Sequence, residues 1–169
     1  QLSGLADEGF TLDVLVGPWT FADKQPAGLL VAEHAVTQLY LQLARDGNPP
    51  AGESSFYFTF TGPAVYSEAS KFQKVDFGDI EKKKTDLFVK TASEGWLGMI
   101  QHYFVSAIIG QDGPRENYTR QVEANLYSVG LVSSLGAVAP EQTATYSAKL
   151  YTGPQDQRVL EELSPGLDL

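Results

Sequence analysis

Apolar side chains recur at every second position along much of this chain, and that spacing restricts the fold more than any other feature. In "FTLDVLV" Phe10, Leu12, Val14 and Val16 fall on one side; in "TQLYLQLA" Leu39, Leu41 and Leu43 do; in "SSFYFTF" Phe56, Phe58 and Phe60 do. Successive side chains of a strand point to opposite faces, so a period of two describes strands with one buried face.

The same rule, less cleanly obeyed, predicts further strands at "DLFVKT" (86–91), "ENYTRQVEA" (116–124), "NLYSVGLVS" (125–133) and "TATYSAKLYTG" (143–153), seven or eight in all. In the last, Tyr146, Ala148 and Leu150 alternate with Thr145, Ser147, Lys149 and Tyr151, the pattern of a strand with one wet face. Turn-forming clusters punctuate the chain at "GPW" (17), "DGNPP" (46), "TGP" (61), "QDGP" (111), "APEQ" (139) and "TGP" (152), a spacing that fits an antiparallel sandwich or barrel. With 43% apolar residues in 169, the chain can bury one proper core, so a single domain over 1–169 is expected.

Two segments leave the period of two. "QDQRVLEELSPG" has Val159, Leu160 and Leu163 at helical spacing and stops at Ser164-Pro165-Gly166, which predicts a short amphipathic helix over 155–163 packed through those three residues. "LLVAEHAV" (29–36) suits helix or strand equally, "FADKQPAGL" (21–29) reads as a loop, and the polar run from Tyr66 to Asp86 is expected to lie over the sheet surface.

The run "SEGWLGMIQHYFVSAIIG" (93–110) is the most concentrated apolar stretch. The 14 residues from Trp96 to Ile109, with Gln101, His102 and Ser106 among them, are too few and too polar to cross a bilayer. Trp96, Met99 or Ile100, Tyr103 and Ala107 recur three and four apart, while Tyr103, Val105, Ala107 and Ile109 recur two apart. This predicts one or two helical turns opening at Ser93 and running into a strand near His102, a structural seam of Trp96, Met99, Ile100, Tyr103 and Phe104. An aromatic cleft for a sugar or peptide, drawing on Tyr57, Tyr66, Trp96 and Tyr103, is the alternative.

Composition removes several functions. A net charge of −9, with no basic cluster longer than Lys82–Lys84, opposes nucleic-acid binding and adsorption on anionic lipid. The lysine trio is a solvated hairpin entry or, as a minority reading, a partner-docking patch. The absence of cysteine removes disulfides, thiol nucleophiles and thiolate metal sites. His34 and His102, the two histidines, sit in no metal or protease signature. No GxSxG elbow accompanies Ser93, Ser106, Ser128 or Ser133. Asp76, Asp79, Glu81, Asp86 and Glu94 form the densest acidic group, expected as a solvated rim rather than a glycosidase pair. Asn117-Tyr118-Thr119 formally matches a glycosylation acceptor, a weak signal alone. No cofactor, metal or catalytic residue is expected. "QLSGLADEG" carries no secretory leader pattern, and a chain beginning at Gln1 reads as an excised or processed piece.

The stretches "LQLARDG", "SSFYFTFTGPAVYSEASKFQKVDF", "KTASEGWLGMIQHYFVSAII" and "LYTGPQDQRVLEELSPGLDL" resemble the large periplasmic domain of the bacterial YidC membrane protein insertases, from about Tyr40 to Leu169. Residues 1–39 match that pattern poorly. The resemblance implies an all-β supersandwich of two stacked antiparallel sheets with a short helix near the C-terminus, held at the periplasmic face of the inner membrane by transmembrane helices outside this segment. It implies a non-catalytic scaffold with no insertase activity of its own. It also implies contact with Sec translocon accessory subunits, through a surface within about Tyr40 to Phe72, and with client membrane proteins. A sugar-binding or peptide-binding module and a mutarotase-like enzyme are the competing readings, because a sandwich does not fix a function.

Overall fold

The computed structural model describes residues 10–16, 35–48, 60–84, 87–138 and 144–168. Among them the chain forms β1 (Phe10–Val16), β2 (Ala35–Asp46), β3 (Thr61–Ser67), β4 (Lys71–Lys74), helix α1 (Phe77–Glu81), β5 (Thr91–Ala92), β6 (Trp96–Gln101), β7 (Phe104–Gly110), β8 (Arg115–Glu123), β9 (Leu126–Val138), β10 (Ala144–Pro154) and helix α2 (Gln157–Leu163). Ten strands exceed the seven or eight expected. Every pairing is antiparallel. One sheet has the order β1-β10-β7-β6-β3-β4 and the other β2-β9-β8-β5. The alternating pattern leaves a sandwich or a barrel open; the two antiparallel sheets, with one of the two described short helices near the C-terminus, are the all-β sandwich that the family resemblance implies.

The core lies in two layers on either side of the six-stranded sheet. On one face Val65, Leu97, Met99, Ile108, Tyr146 and Ala148 meet Val129 and Leu131 of the four-stranded sheet, with Leu39, Leu41 and Leu43 of β2 closing the layer. On the other face Ala64, Tyr66, Trp96 and Ala107 pack against Leu160 of α2 and Leu167 beyond it. The six-stranded sheet is therefore covered on both sides, whereas the outer face of the four-stranded sheet is wet.

That double cover corrects the helical turn expected over 93–101. Trp96, Leu97, Gly98 and Met99 are all buried in β6, so their faces cannot be told apart by hydropathy, and a short buried run looks alike as helix or strand. Gly98 serves a close strand approach: a Cβ there would meet the Ser106 carbonyl oxygen at 2.8 Å. The run continues into β7 through a tight turn at His102 and Tyr103, with His102 in the left-handed region at φ 40°.

Other boundaries also move. The "TGP" clusters at 61 and 152 are strand residues rather than turns. Pro63 pairs with Met99 of β6, and its carbonyl accepts from the Val75 N–H at 2.9 Å just past the end of β4. Pro154 pairs with Phe104 beyond the reach of β1, so one side of its strand is unpaired, the position a residue lacking an N–H tolerates. "DLFVKT" contributes Thr91 alone to a strand, and Leu87 and Phe88 pack sideways onto a satellite cluster instead. The polar run after Tyr66 is a β3–β4 hairpin followed by α1, with Val75 and Ile80 buried. Phe56, Phe58, the 21–29 loop and His34 lie outside the described residues, while Ala35 and Val36 open β2.

Helix α2 confirms the expected helix with one correction. Asp156 caps it, its carboxylate accepting from the Arg158 N–H at 3.0 Å. A helix of seven residues has little stability alone, so packing must hold it. Leu160 is buried and Leu163 half-buried, but Val159 is 36% exposed. Val159 lies about 100° around the helix from Leu160, so it turns away from the face that Leu160 and Leu163 present to the sheet.

Helix α1 is tied to the sandwich by Tyr127, on which Phe77 stacks at 4.4 Å between ring centroids and whose hydroxyl donates to Glu81. The hydrogen bond to Glu81, then burial, raises the Tyr127 phenol above its ordinary value. A raised phenol contributes stability that is complete below the unfolded phenol range and is lost as pH rises through the folded value. Unfolding free energy therefore falls across about pH 10 and above. In Tyr127→Phe this alkaline decline becomes shallower, as denaturant titrations on either side of that range would show.

Candidate interaction surfaces

The most heavily built region is where the C-terminal segment closes over the six-stranded sheet. Tyr66 of β3 and Trp96 of β6 face each other across the Tyr66↔Trp96 pairing, their rings 5.9 Å apart and 5° from parallel, and Phe72 of β4, the next strand over, lies 5.7 Å from Trp96. The Trp96 indole N–H donates to the Pro165 carbonyl at 3.2 Å. Gly166, at φ 72°, lies against the Tyr66 ring so closely that a Cβ would meet Cε2 at 2.2 Å. Gly95, at φ 93°, would bring a Cβ to 2.1 Å from the Tyr66 carbonyl oxygen. Both glycines are required by close approach as well as by backbone conformation.

A polar strap borders this lock. The Tyr66 hydroxyl donates to Glu68 at 3.1 Å, Lys71 pairs with the same carboxylate, and Glu94 accepts from the Glu68 N–H at 3.1 Å. Burial, then Glu68, raises the Tyr66 phenol; Lys71 first, then Tyr66, holds the Glu68 carboxyl below its usual range. These groups position the turn between β3 and β4.

Of the four aromatics expected to line a cleft, the three among the described residues do not converge. Tyr66 and Trp96 are stacked in the core, Tyr103 is 69% exposed at the β6–β7 tip, and Tyr57 lies outside the described residues. The seam divides likewise: Trp96 and Met99 are buried, Ile100 is half-buried, and Tyr103 and Phe104 are exposed. Gln155 holds the tip rigidly, donating from its backbone N–H to the Tyr103 carbonyl and from its amide to the His102 carbonyl, each at 2.8 Å. The two exposed rings therefore stand on the segment that leads into α2.

The outer face of the four-stranded sheet carries Tyr40, Gln42, Tyr118 and Arg120. The Gln42 side-chain oxygen accepts from the Tyr118 hydroxyl at 3.1 Å and from Arg120 at 2.9 Å, bridging β2 and β8 across Gly130 of β9. A Cβ at Gly130 would meet the Tyr118 hydroxyl at 2.5 Å and the Leu41 carbonyl at 2.6 Å. The partner surface expected within Tyr40 to Phe72 is not one face, because β2 belongs to this sheet and β3 and β4 to the other.

Buried polarity between the sheets is concentrated at Arg115, 2% exposed, which donates to the Glu94 carbonyl at 2.7 Å. Burial lowers its pKa from the usual value. It reaches across Gly110, where a Cβ would approach its Nη1 at 3.2 Å. Neither Arg115 nor this use of Gly110 was legible beforehand, since an arginine opening a strand reads as solvent-facing.

The acidic group resolves into structural parts. Asp76 stands at the N-cap position of α1, where its backbone carbonyl rather than its carboxylate accepts from the helix, Asp79 pairs with Lys84 at 2.7 Å, Glu81 accepts from Tyr127, and Asp86 lies outside the described residues. Among the described residues no three His, Asp or Glu side chains are grouped to hold a metal. His102 sits at the hairpin tip, its ring edge-on to Tyr103.

The described architecture is that of an antiparallel β-sandwich domain with a helix near its C-terminal end docked on the six-stranded sheet. The model of the YidC periplasmic domain matches residues 31–169, beginning earlier than the resemblance at about Tyr40, and the chain belongs to that family. It is similar to "Membrane protein insertase YidC" of Bordetella avium, 52% identical over 132 residues, or 78% of this chain and 23% of the relative. The protein of the same name from Bordetella pertussis is 53% identical and that from Cupriavidus pinatubonensis 48%, with the same coverage. The chain thus spans 23% of the length of these relatives. Among the described residues no helix is long and apolar enough to cross a membrane.

Proposed function

We propose that this domain is a non-catalytic scaffold and interaction module of a YidC-type membrane protein insertase, held at the periplasmic face of the inner membrane. It supports insertion and folding by fixing where its contact surfaces stand relative to the membrane part. The observation that carries this reading is the C-terminal lock: Leu160 and Leu167 complete the core, and the Trp96–Pro165 hydrogen bond ties the segment beyond α2 to the sheet. A segment so joined moves with the sandwich as one body. The partners this reading assigns are Sec translocon accessory subunits and client membrane proteins.

Photo-crosslinking in the full insertase chain that carries the domain tests it. A reactive side chain at exposed Tyr40, Phe104 or Val159 is expected to give adducts with a translocon subunit or a client chain, and one at buried Leu97 none. Failure of every exposed position to capture protein would overturn the reading. The sugar-module reading loses support because Tyr66 and Trp96 are stacked in the core while Tyr103 is exposed at the hairpin tip. The enzyme reading needs a histidine facing a carboxylate, and the described histidine, His102, packs instead against Tyr103 at that tip.

A further inference from the structure

The edge of β8 combines three properties that the lock does not use, and it shares Tyr118 and Arg120, both bonded to Gln42, with the outer sheet face. Its pairing with β5 covers Glu116 and Arg115 alone, and the Asn117 N–H reaches the Lys90 carbonyl at 2.6 Å. Since N–H and C=O groups alternate sides along a strand, Thr119 and Gln121 point the same way as Asn117. Among the described residues no strand pairs with them on that side.

A groove of about 570 Å³ runs along this edge. Four consecutive β8 residues, Tyr118, Thr119, Arg120 and Gln121, line it. A groove against one face would touch alternate residues; contact with consecutive ones places it against the backbone edge. Its opposite wall is α1 and the residues after it, with Ile80 and Phe88 as apolar floor.

The groove reverses the charge of the molecule. It is lined by Lys83, Lys84, Lys90 and Arg120, four of the chain's 12 basic residues, but by only Glu81 and Glu116 of its 21 acidic ones. Lys84 is paired with Asp79, and Glu81 is engaged by Tyr127. Among the described residues neither Lys83 nor Lys90 is in an ion pair. Asn117 adds an acceptor: 3% exposed, it donates from its amide to the Val89 carbonyl at 3.4 Å, while its Oδ1 has no partner. A buried amide oxygen left unpaired is costly, so this is a position that a donor would satisfy.

We propose that this groove takes an extended, acidic polypeptide segment, which adds a strand to β8. The incoming backbone pairs with the N–H and C=O groups of Thr119 and Gln121, its carboxylates stand against Lys83 and Lys90, and one of its donors reaches Asn117 Oδ1. Strand addition draws affinity from main-chain hydrogen bonds and selectivity from the side chains around the edge. A second copy of this chain is a poor occupant, because β8-to-β8 pairing brings the two basic grooves together. The inference rests on the interaction-domain reading and specifies one of its surfaces.

The test is fluorescence anisotropy of the chain with a labelled peptide of about six residues alternating Glu with Thr or Val. Three companions are a Lys-for-Glu peptide, an acidic peptide N-methylated at alternate residues, and the chain carrying Lys83→Glu with Lys90→Glu. Binding of the acidic peptide is expected, weakened at least about tenfold by the double charge reversal and by raising salt from about 50 to about 500 mM. N-methylation, which removes backbone donors and keeps the charge, is expected to abolish it. Thr119→Pro removes one edge donor and is expected to weaken binding; if that variant does not fold, the N-methylated peptide carries the same test. Equal binding of the Lys peptide, binding insensitive to N-methylation, or no binding at about 1 mM would overturn the groove. Crosslinks at Tyr40, Phe104 or Val159 could still stand after such a failure, so the two readings fail separately.

Discussion

Leu160→Asp is expected to lower the unfolding free energy by about 3–5 kcal/mol, whereas Val159→Asp should change it by no more than about 0.5 kcal/mol. Leu160 is 3% exposed and shares a cluster with Ala64, Tyr66, Trp96 and Ala107. The charge must be desolvated or α2 must detach, and either outcome removes apolar burial from the sheet. Val159, one residue away, already faces water. The contrast between adjacent substitutions separates loss of docking from a general intolerance of charge in a short helix. A melting temperature for Leu160→Asp equal to that of the parent would contradict the docked arrangement.

Trp96→Ala is the second large effect, with an expected loss of about 3–5 kcal/mol. The side chain is 1% exposed, has the rings of Tyr66 and Phe72 at 5.9 and 5.7 Å, and donates to Pro165. Its removal leaves a cavity that its neighbour Gly95 and Gly98 on the same strand, lacking side chains, cannot refill. Trp96→Phe keeps an aromatic in the gap and loses the indole donor, so a smaller loss of about 1–2 kcal/mol is expected. Against a typical domain stability of about 5–15 kcal/mol, the alanine variant should be marginal in a denaturant titration.

What could be read from sequence follows the wetting of each element. In β2, Leu39, Leu41 and Leu43 alternate with exposed Gln38, Tyr40 and Gln42 because one face meets solvent. In β6 no such contrast exists, because α2 and its tail cover the side that Trp96 presents and the four-stranded sheet covers the side that Leu97 presents. A three-and-four spacing therefore suits a helix where a strand forms. Proline and glycine at 61–63 and 152–154 have the composition of turns, because composition does not reveal that a partner strand runs alongside them.

The surfaces were less legible than the fold. Tyr103 and Phe104 belong to the same apolar run as Val105 and Ala107, and only the turn at His102 turns them outward. Asn117 was noticed as part of a tripeptide, whereas its unpaired oxygen depends on Lys90 and Val89 arriving beside it. The lysine trio was open between a solvated hairpin and a docking patch. Its contribution to a basic groove came from α1 lying beside the edge of β8. Family membership was carried by the order of residues along the chain, which local physical reasoning could not supply.

The central claim is that α2 and the residues after it belong to the core and move with it. Native-state hydrogen exchange measures this directly, using the Leu160 amide, bonded to Asp156, and the Leu167 amide, bonded to Ser164. The docked arrangement predicts that Leu160 exchanges nearly as slowly as the amides of β6 and β7 and that Leu167 is clearly protected. Exchange of both amides at the rate of an unstructured terminus, with β6 and β7 still protected, would contradict it.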